Sequence, residues 1–464
     1  MRTNYLYKSF SFSLLLLGLV VLNGCKKFLE PDYKTQVATS DVFANDGNAA
    51  AAVTGLYANM AAANTNFNGL ITETTGFSAD ELKYYTSDVT KDQFQKDSVL
   101  PINSQVLSFW NTVYANIYQC NAIIENATAS TGMSAAYKTQ VIGEAKFFRA
   151  FGHFYLVNLF GPVPLITATS KDMTAYAARS TVQDVYTQIK ADLTDAYNTL
   201  PADYTIAGGK RIRANKWAAA ALLARTDLYS GDYANAESMA SAVLATTSLY
   251  SLQSNFDNVF LKNKSESLLE FERPISTNTY EGSMFMGYVG YYGWGDHLLL
   301  PGLVNSFETG DLRATKWIYT ASNGSVPYKY KNPATNIENY LLLRVAEQYL
   351  IRAEARAQQS NFSGALADIK TIRTRAGLTT DPVMTDKATS MVAIENERRH
   401  ELFCEWGHRW FDLKRWPSLT TAGKTRADDI LGVLKTSWKS TAIVYPIPQD
   451  ALNNNPNLKQ NTGY

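Results

Sequence analysis

Apolar side chains recur at intervals of three and four residues over most of the chain, which is the pattern of helices with one buried face. Between positions 109 and 124 the spacing is carried by Trp110, Val113, Tyr114, Ile117 and Ile124. Similar spacing predicts helices over 41–60, 137–159 and 181–200. Gly161-Pro162 and Pro201 then follow the last two of these segments, and such residues end helices. The pattern therefore predicts a mainly α-helical fold in which Trp110 belongs to the core.

A helix–turn–helix pattern occurs twice. Residues 216–245 place Ala220, Leu223 and Ala224 before the turn Gly231-Asp232-Tyr233, and residues 342–378 place Ala353 and Ala357 before the turn Ser360-Asn361-Phe362. In each segment an alanine follows the turn, Ala236 in the first and Ala365 in the second. Small residues at these offsets let two helices cross closely, as in tetratricopeptide repeats, whose helix pairs stack on one another. We therefore expect a scaffold of tetratricopeptide-like helix pairs.

Two long regions interrupt the helical pattern, at 64–101 and at 254–333. Both are rich in Gly, Asn, Ser, Thr and aromatic residues. Loops of this length inside a compact chain usually carry function. We therefore predict that these regions form an irregular, loop-rich half that carries the ligand.

Aromatic residues are crowded among glycines in the second of these regions. The candidate ligand-binding residues are Tyr280, Tyr288, Tyr291, Tyr292 and Trp294. Sugars present flat C–H faces that pack on aromatic rings, with polar groups around the rim for their hydroxyls. Trp294, with a glycine on each side, is the preferred stacking platform. The alternative is that several of these rings pack the loop onto the helical scaffold.

The N-terminus has the features of a bacterial lipoprotein signal. Arg2 and Lys8 precede an apolar run from 10 to 22 that is too short to span a bilayer. The run ends in Leu22-Asn23-Gly24-Cys25, which resembles a lipobox. We predict a signal peptide over residues 1–24 and a mature domain over 25–464 that is anchored to the membrane by acylated Cys25. The other cysteines, Cys120 and Cys404, are expected to be buried free thiols.

The net charge of the chain excludes one class of function. The chain has 43 Lys and Arg against 42 Asp and Glu, for a formal net charge of +1. A nucleic-acid-binding protein normally shows a basic surplus or a basic stripe. Nucleic acid is therefore not an expected partner.

Two short motifs that contain acidic residues, His400-Glu401 and Asp80-Glu81, are similar to parts of metal and catalytic sites. His400-Glu401 comes close to a zinc-binding helix, but Cys404 stands where the second histidine would be, so a structural helix with a charge network is preferred. Asp80 and Glu81 are adjacent, whereas a glycosidase needs two carboxylates that face one bond. We expect no catalytic residues, no metal and no cofactor. Asp80 is expected either to accept hydrogen bonds from a sugar or to be a solvated loop charge.

Several segments, in this order along the chain, carry a resemblance to a known family. They are Cys25-Lys26-Lys27-Phe28-Leu29-Glu30-Pro31, Glu144-Ala145-Lys146-Phe147-Phe148-Arg149-Ala150 with Leu159-Phe160-Gly161-Pro162-Val163-Pro164, Glu397-Arg398-Arg399-His400-Glu401-Leu402 with Gly407-His408-Arg409-Trp410-Phe411-Asp412, and Tyr445-Pro446-Ile447-Pro448-Gln449 with Asn455-Pro456-Asn457-Leu458. Together they resemble the SusD/RagB family of Bacteroidetes outer-membrane lipoproteins, over nearly the whole mature chain.

The resemblance implies a SusD-like fold in which four tetratricopeptide-like helix pairs support an irregular ligand-binding half. It also implies an outer-membrane protein, facing the cell surface, that captures an oligosaccharide and delivers it to a SusC-type TonB-dependent barrel. Lys26 and Lys27 are basic where surface lipoproteins of these bacteria often carry acidic residues, which leaves the leaflet open. Two alternatives also stay open: a binder of peptide or another nutrient, and a tetratricopeptide assembly adaptor without a small ligand. An enzyme is not expected.

Overall fold

The computed structural model of the chain describes residues 39–62, 67–273, 279–286, 296–331 and 336–464. Most of them lie in helices, as the hydrophobic pattern predicts. The α-helices are α1 (Thr39–Val42), α2 (Asp46–Met60), α3 (Phe67–Ser78), α4 (Val89–Gln95), α5 (Ser104–Ala129), α6 (Ala135–Phe160), α7 (Lys171–Thr174), α8 (Val182–Thr199), α9 (Lys216–Tyr229), α10 (Tyr233–Leu244), α11 (Tyr280–Met286), α12 (Pro301–Val304), α13 (Leu312–Lys316), α14 (Val345–Gln358), α15 (Phe362–Arg375), α16 (Lys387–Leu402), α17 (His408–Arg415), α18 (Arg426–Leu434) and α19 (Gln449–Asn454). Within the described ranges, no helix combines the length and the apolar character needed to cross a bilayer.

Short strands supplement the helices. They are β1 (Leu82–Tyr84), β2 (Val163–Pro164), β3 (Arg179–Ser180), β4 (Ser267–Phe271), β5 (His297–Leu299), β6 (Ile318–Ala321), β7 (Gly324–Pro327) and β8 (Tyr340–Arg344). They pair as β1–β5, β2–β3, β4–β8 and β6–β7, all antiparallel. The β1–β5 pair joins regions 64–101 and 254–333 to each other, and the β4–β8 pair joins region 254–333 to the strand that directly precedes helix α14.

Capping residues set the helix ends more sharply than the apolar spacing does. Helix α2 begins at Asp46 because Asn45 caps it, accepting a hydrogen bond from Asn48 N at 2.9 Å. The predicted start at residue 41 is therefore wrong. Segment 109–124 is the middle of the longer helix α5. Helix α6 ends where predicted, because Gly161 adopts a left-handed φ of 72°.

The two predicted repeats have equivalent turns. Asp232 and Asn361 cap the second helices α10 and α15, and both have φ −88° and ψ 70°. The residues before them, Gly231 and Ser360, both have positive φ, of 79° and 63°. The same turn thus occurs at the same place in both helix pairs, which confirms the internal repetition. One boundary differs: Leu342 lies in β8, and helix α14 begins only at Val345.

The helix pairs stack through small residues, as their pattern predicts. Helix α10 packs between α9 and α14, and α15 and α16 continue the stack on α14. Ala224, Ala236 and Ala355 meet at the α9–α10–α14 crossing, and Ala353 and Ala365 meet at the next. These alanines are fully buried, so the helix backbones approach closely there. Trp110, Cys120 and Cys404 are also buried, and both cysteines are free thiols, as expected.

The two regions predicted to be loops contain more regular structure than expected. Region 64–101 contains α3, β1 and α4, and region 254–333 contains β4, α11, β5, β6 and β7. Short elements of this kind lack a long apolar period and are interrupted by turns, so they read as loops in the sequence. The described parts of these regions are therefore loops with short helices and strands between them, outside the stacked helix pairs.

Buried ion pairs hold the C-terminal helices to the strands. Arg344, at the end of β8, donates to Glu401 at 2.6 Å and to Glu405 at 2.7 Å. Arg398 donates to Asp412 at 2.7 Å, which ties α16 to α17. Leu402, Phe403, Trp406 and Trp410 pack beside these pairs in the core. The structural interpretation of the segment around His400 and Glu401 is confirmed.

Candidate functional site

Strand β1 brings aromatic residues of the first region to the edge of the second. In the β1–β5 pair, Tyr84 lies opposite His297, and Tyr85 N donates to Asp296 O at 2.7 Å. Gln95 accepts a hydrogen bond from Tyr84 N at 2.8 Å and fixes this end of the strand. Asp296 directly follows residues 287–295 in the sequence. Residues 287–295, which we call the aromatic segment, are therefore followed in the chain by a residue that is hydrogen-bonded to Tyr85.

Polar and aromatic side chains share this edge. Tyr85 is 59% exposed. Lys91 Nζ lies 4.1 Å from the centre of the Tyr84 ring, close enough for a cation–π contact. The Tyr84 hydroxyl is 3.4 Å from Asp296 Oδ2. We call Tyr84, Tyr85, Lys91 and Asp296 the tyrosine edge: it combines two tyrosines with one cationic and one anionic group.

The buried carboxylate of Glu73 binds two residues next to Tyr84. Glu73 receives His297 Nε2 at 2.6 Å and Lys91 Nζ at 2.7 Å. Burial alone would raise the pKa of Glu73, but the hydrogen bond and charge of His297, together with Lys91, lower it. The His297 ring in turn stacks on Phe77, with 5.5 Å between ring centroids. Lys91 and the strand end that carries Tyr84 are thereby held in fixed positions.

Asp80 does not lie on this edge. It is only 5% exposed, and its carboxylate accepts hydrogen bonds from Arg409 at 2.7 and 3.0 Å and pairs with Arg399 at 2.8 Å. Burial would raise the pKa of Asp80, but Arg409 and Arg399 outweigh it and lower the pKa to about 2. Both expectations for Asp80, a sugar-binding rim residue and a solvated loop charge, are corrected. It is a buried partner of the C-terminal helices.

Glu81, the neighbour of Asp80, is also withdrawn from solvent. Cys404 N lies 3.3 Å from both of its carboxylate oxygens. Burial, and then the negative charge of Asp80, raise the pKa of Glu81 to about 8. The adjacent acids thus have different surroundings inside the protein, and neither faces a cleft as a pair.

Of the predicted aromatic ligands, Tyr280 lies within the described residues. It is half-buried, at the start of α11. Gly69, which has a φ of 89°, lies directly beneath the ring: a Cβ atom there would come within 1.9 Å of Tyr280 Cδ1. Only part of the Tyr280 side chain is therefore open to a ligand. Tyr288, Tyr291, Tyr292 and Trp294 lie outside the described residues.

Sequence reasoning missed Tyr84 and Tyr85. The available signal was the doublet Tyr84-Tyr85 directly after Leu82-Lys83, inside a region already predicted to carry ligand. What could not be read from the sequence is the pairing of β1 with β5, which depends on residues more than two hundred positions apart.

The His400 segment has no metal-binding geometry. His400 Nε2 is hydrogen-bonded to Ser306 Oγ at 2.9 Å, and its ring stacks on Phe307. Burial and neighbouring arginines lower its pKa to about 3. Cys404 lies beyond the end of α16 with a φ of 51°, so it is not one helical turn from His400 on the same face. In the described parts of the chain, no group of three or more His, Cys, Asp or Glu side chains is placed to hold a metal ion.

Two family models match the chain. The model described as "Starch-binding associating with outer membrane" matches residues 27–228, and the model described as "SusD family" matches residues 312–464. Among relatives, SusD-like protein P38 of Formosa agariphila is 24% identical over 533 residues and covers 99% of both chains. Starch-binding protein SusD of Bacteroides thetaiotaomicron is 27% identical over 438 residues, covering 72% of this chain and 74% of that protein.

Solved structures share the fold. A SusD superfamily protein from Bacteroides vulgatus superimposes with a TM-score of 0.79 at 20% identity, covering 90% of this chain and 99% of that chain. A laminarin binding SusD-like protein gives a TM-score of 0.74 at 23% identity, covering 90% of this chain and 100% of that chain. The two family models follow one another along the chain and together match more than half of it. Together with the full-length relatives, they show that this chain belongs to the SusD/RagB family.

Proposed function

We propose that this protein is a lipid-anchored glycan-binding protein that captures an oligosaccharide and passes it to a SusC-type TonB-dependent transporter. The observation that carries the proposal is the tyrosine edge, where Tyr85, which is 59% exposed, donates its backbone N–H to Asp296 O, and Asp296 directly follows residues 287–295 in the sequence. Two regions that are rich in aromatic residues thus meet on one surface.

The chemistry of this surface suits a sugar. An exposed tyrosine ring packs against the C–H face of a pyranose, and the groups around it bind hydroxyls. Asp296 is placed to accept such hydrogen bonds and Lys91 to donate them, because both lie next to Tyr84. We also propose Tyr280, Tyr288, Tyr291, Tyr292 and Trp294 as ligand-binding residues, with Trp294 as the main platform.

Relatives support the ligand class. One relative is named a starch-binding protein, and one structural neighbour is named a laminarin binding protein. Another neighbour is a surface glycan-binding protein A from Bacteroides uniformis. We infer that this chain also binds a glycan.

We infer capture rather than cleavage. A glycosidase needs two accessible carboxylates on either side of one bond. Asp80 is occupied by two arginines and Glu81 is buried against a backbone amide, so the adjacent acids of the first region do not provide that arrangement.

Anchoring and delivery complete the proposal. Cys25, at the end of the predicted signal peptide 1–24, lies outside the described residues and is proposed as the lipidation site. The mature chain, residues 25–464, is proposed to be a single domain on the outer membrane that faces the cell surface and closes over a SusC-type barrel.

A glycan array tests the ligand class directly. The full-length protein, purified in detergent, is applied to neutral and charged oligosaccharides in parallel with a peptide library. Binding to one structural group of glycans, weakened in Tyr85→Ala, supports the proposal. Binding to peptides alone would identify a different nutrient, and no binding to either library would favour the assembly adaptor.

A further inference from the structure

A second aromatic cleft lies away from the tyrosine edge, between helix α5 and the C-terminal helix α19. Its volume is about 330 Å³, which falls within the range of small-ligand sites. The lining residues that matter for a ligand are Trp110, Asn111, Tyr114, Tyr118, Asp450 and Asn454. We call this the α5 cleft.

One wall of the α5 cleft is a row of aromatic rings. Trp110, Tyr114 and Tyr118 are spaced four residues apart, so they follow one face of α5. Their exposure rises along the row, from 6% for Trp110 to 56% for Tyr118. The row is braced at its inner end: the Trp110 ring meets Phe160 edge to face at 5.0 Å, and the Tyr114 hydroxyl donates to Pro164 O at 2.9 Å. The exposed ring of Tyr118 is thus the end of a rigid wall.

The opposite wall is polar. Asp450 and Asn454 are one turn apart on α19 and share a face. Both are exposed, as is Asn111 on the aromatic side. Within the described part of the chain, these three side chains make no hydrogen bond, and neither the Trp110 indole N–H nor the Tyr118 hydroxyl has a partner. The cleft therefore holds donors and acceptors that the protein itself leaves unused.

The charge of the cleft limits its ligand. Its lining contains one carboxylate, Asp450, and no Lys, Arg or His. Arg179, which acts electrostatically on Tyr114, already donates to Pro162 O, to Lys459 O and to Asn461. A phosphate, sulfate or uronate would therefore face Asp450 without an unengaged cation among the described lining residues, and an entirely apolar ligand would leave the amides and the indole N–H without partners. Stacked rings with amide and carboxylate groups opposite are what an uncharged sugar requires.

We propose that the α5 cleft is a second binding site for an uncharged sugar unit, with Tyr118 as its stacking platform and Asn111, Asp450 and Asn454 as its hydroxyl partners. The proposal rests on the glycan-binding function proposed above. Because the cleft is built from α5 and α19 and the tyrosine edge from β1, α4 and the start of β5, one protein would hold a glycan at two separate points. Two-point attachment raises the effective concentration of the second contact and so strengthens binding to a long chain.

Titration calorimetry tests the two sites separately. The full-length protein in detergent is titrated with uncharged oligosaccharides of about seven sugar units, including maltoheptaose and laminariheptaose, and the tightest binder is used as the probe. Tyr118→Ala should weaken one of two sites at least about tenfold, the effect of one lost stacking contact, and leave the other unchanged. Tyr118→Phe, which keeps the ring, should retain binding within about threefold. Because the Tyr118 side chain is exposed, both variant proteins should have the same melting temperature as the wild-type protein.

The outcomes distinguish the two proposals. A single site that Tyr85→Ala weakens and Tyr118→Ala does not touch would overturn the α5 cleft and leave the tyrosine edge standing. A site that responds to Tyr118→Ala alone would support the cleft and count against the tyrosine edge. Absence of binding by every uncharged oligosaccharide would overturn the α5 cleft, while binding of a charged glycan that Tyr85→Ala weakens would leave the tyrosine edge standing.

Discussion

Arg409 donates two hydrogen bonds, of 2.7 and 3.0 Å, to the carboxylate of Asp80, which lies 329 positions earlier in the chain. This pair joins the segment between α3 and β1 to helix α17. Both side chains are buried, so neither charge has water as an alternative partner. The ion pair therefore couples the irregular N-terminal region to the C-terminal helices, and it supports the proposal that residues 25–464 unfold as one domain.

Removing one partner of this pair should be costly. Asp80→Ala leaves Arg409 buried without its main counter-charge, which typically lowers the free energy of unfolding by about 3–5 kcal/mol. Urea denaturation, followed by fluorescence and by circular dichroism, measures the change and shows whether both signals move in one transition. As a control, Lys96→Ala breaks a surface pair with Asp92 and should cost at most about 1 kcal/mol. Equal, small effects of the two variants would contradict the structural role of Asp80.

The helix crossings should not tolerate larger side chains. Ala224 and Ala353 are fully buried where helices meet, and a leucine at either position overpacks the crossing at a typical cost of about 1–3 kcal/mol. Thermal unfolding of Ala224→Leu and Ala353→Leu should show a lower melting temperature than the wild-type protein. Ala136→Leu, at an exposed position in α6, is the matched control and should leave the melting temperature unchanged. If the buried and exposed substitutions behave alike, the repeat register is wrong.

Stability should fall as the pH rises toward 8 because of a buried acid. Glu281 accepts a hydrogen bond from the Tyr340 hydroxyl at 2.6 Å, and burial raises its pKa to about 8. The folded protein keeps a proton there that the unfolded chain has already released, so the stabilisation is full below a pH of about 4.5 and is lost as the pH approaches about 8. Denaturation midpoints should decline between a pH of about 6.5, above which unfolded histidines are also neutral, and a pH of about 8.

Glu281→Gln should flatten that decline, because the amide cannot ionise. Asp172→Asn, on the exposed helix α7, is the control and should keep the wild-type slope. A slope that Glu281→Gln leaves unchanged would show that other groups, such as Glu81, cause the pH dependence.

The helices and their repetition were predictable from the sequence, whereas the long-range pairs were not. Turn residues such as Gly231 and Ser360 mark the repeats locally, through short-range spacing that the sequence displays. The partner of Asp80 depends on tertiary packing, so a carboxylate in a Gly- and Asn-rich region was predicted to be accessible when it is buried. The tyrosine edge could not be predicted for the same reason. Tyr84 and Tyr85 are a doublet in the sequence, but their position beside Asp296 depends on the pairing of β1 with β5.

Membrane anchoring should depend on Cys25 alone. Cys25→Ala removes the thiol that a lipobox cysteine uses for acylation, so the protein should leave the membrane fraction and incorporate no labelled fatty acid. Cys120→Ala is the control, because Cys120 is buried in α5 and cannot be acylated in the folded protein. Retention of Cys25→Ala in a salt-washed membrane pellet would contradict the anchor.

The central claim is that aromatic rings of the tyrosine edge and of residues 287–295 hold a glycan. Its most direct test is the dissociation constant of the best glycan from the array, measured by titration calorimetry for the wild-type protein, Tyr85→Ala and Trp294→Ala. Loss of one stacked ring costs about 1.4 kcal/mol or more once the buried area is included, which is at least about a tenfold weakening. Tyr176→Ala, which removes a similarly exposed tyrosine that is not part of the tyrosine edge, is the control. We predict at least tenfold weaker binding for Tyr85→Ala and Trp294→Ala, with the melting temperature and the control unchanged; wild-type affinity in both variants would contradict the account.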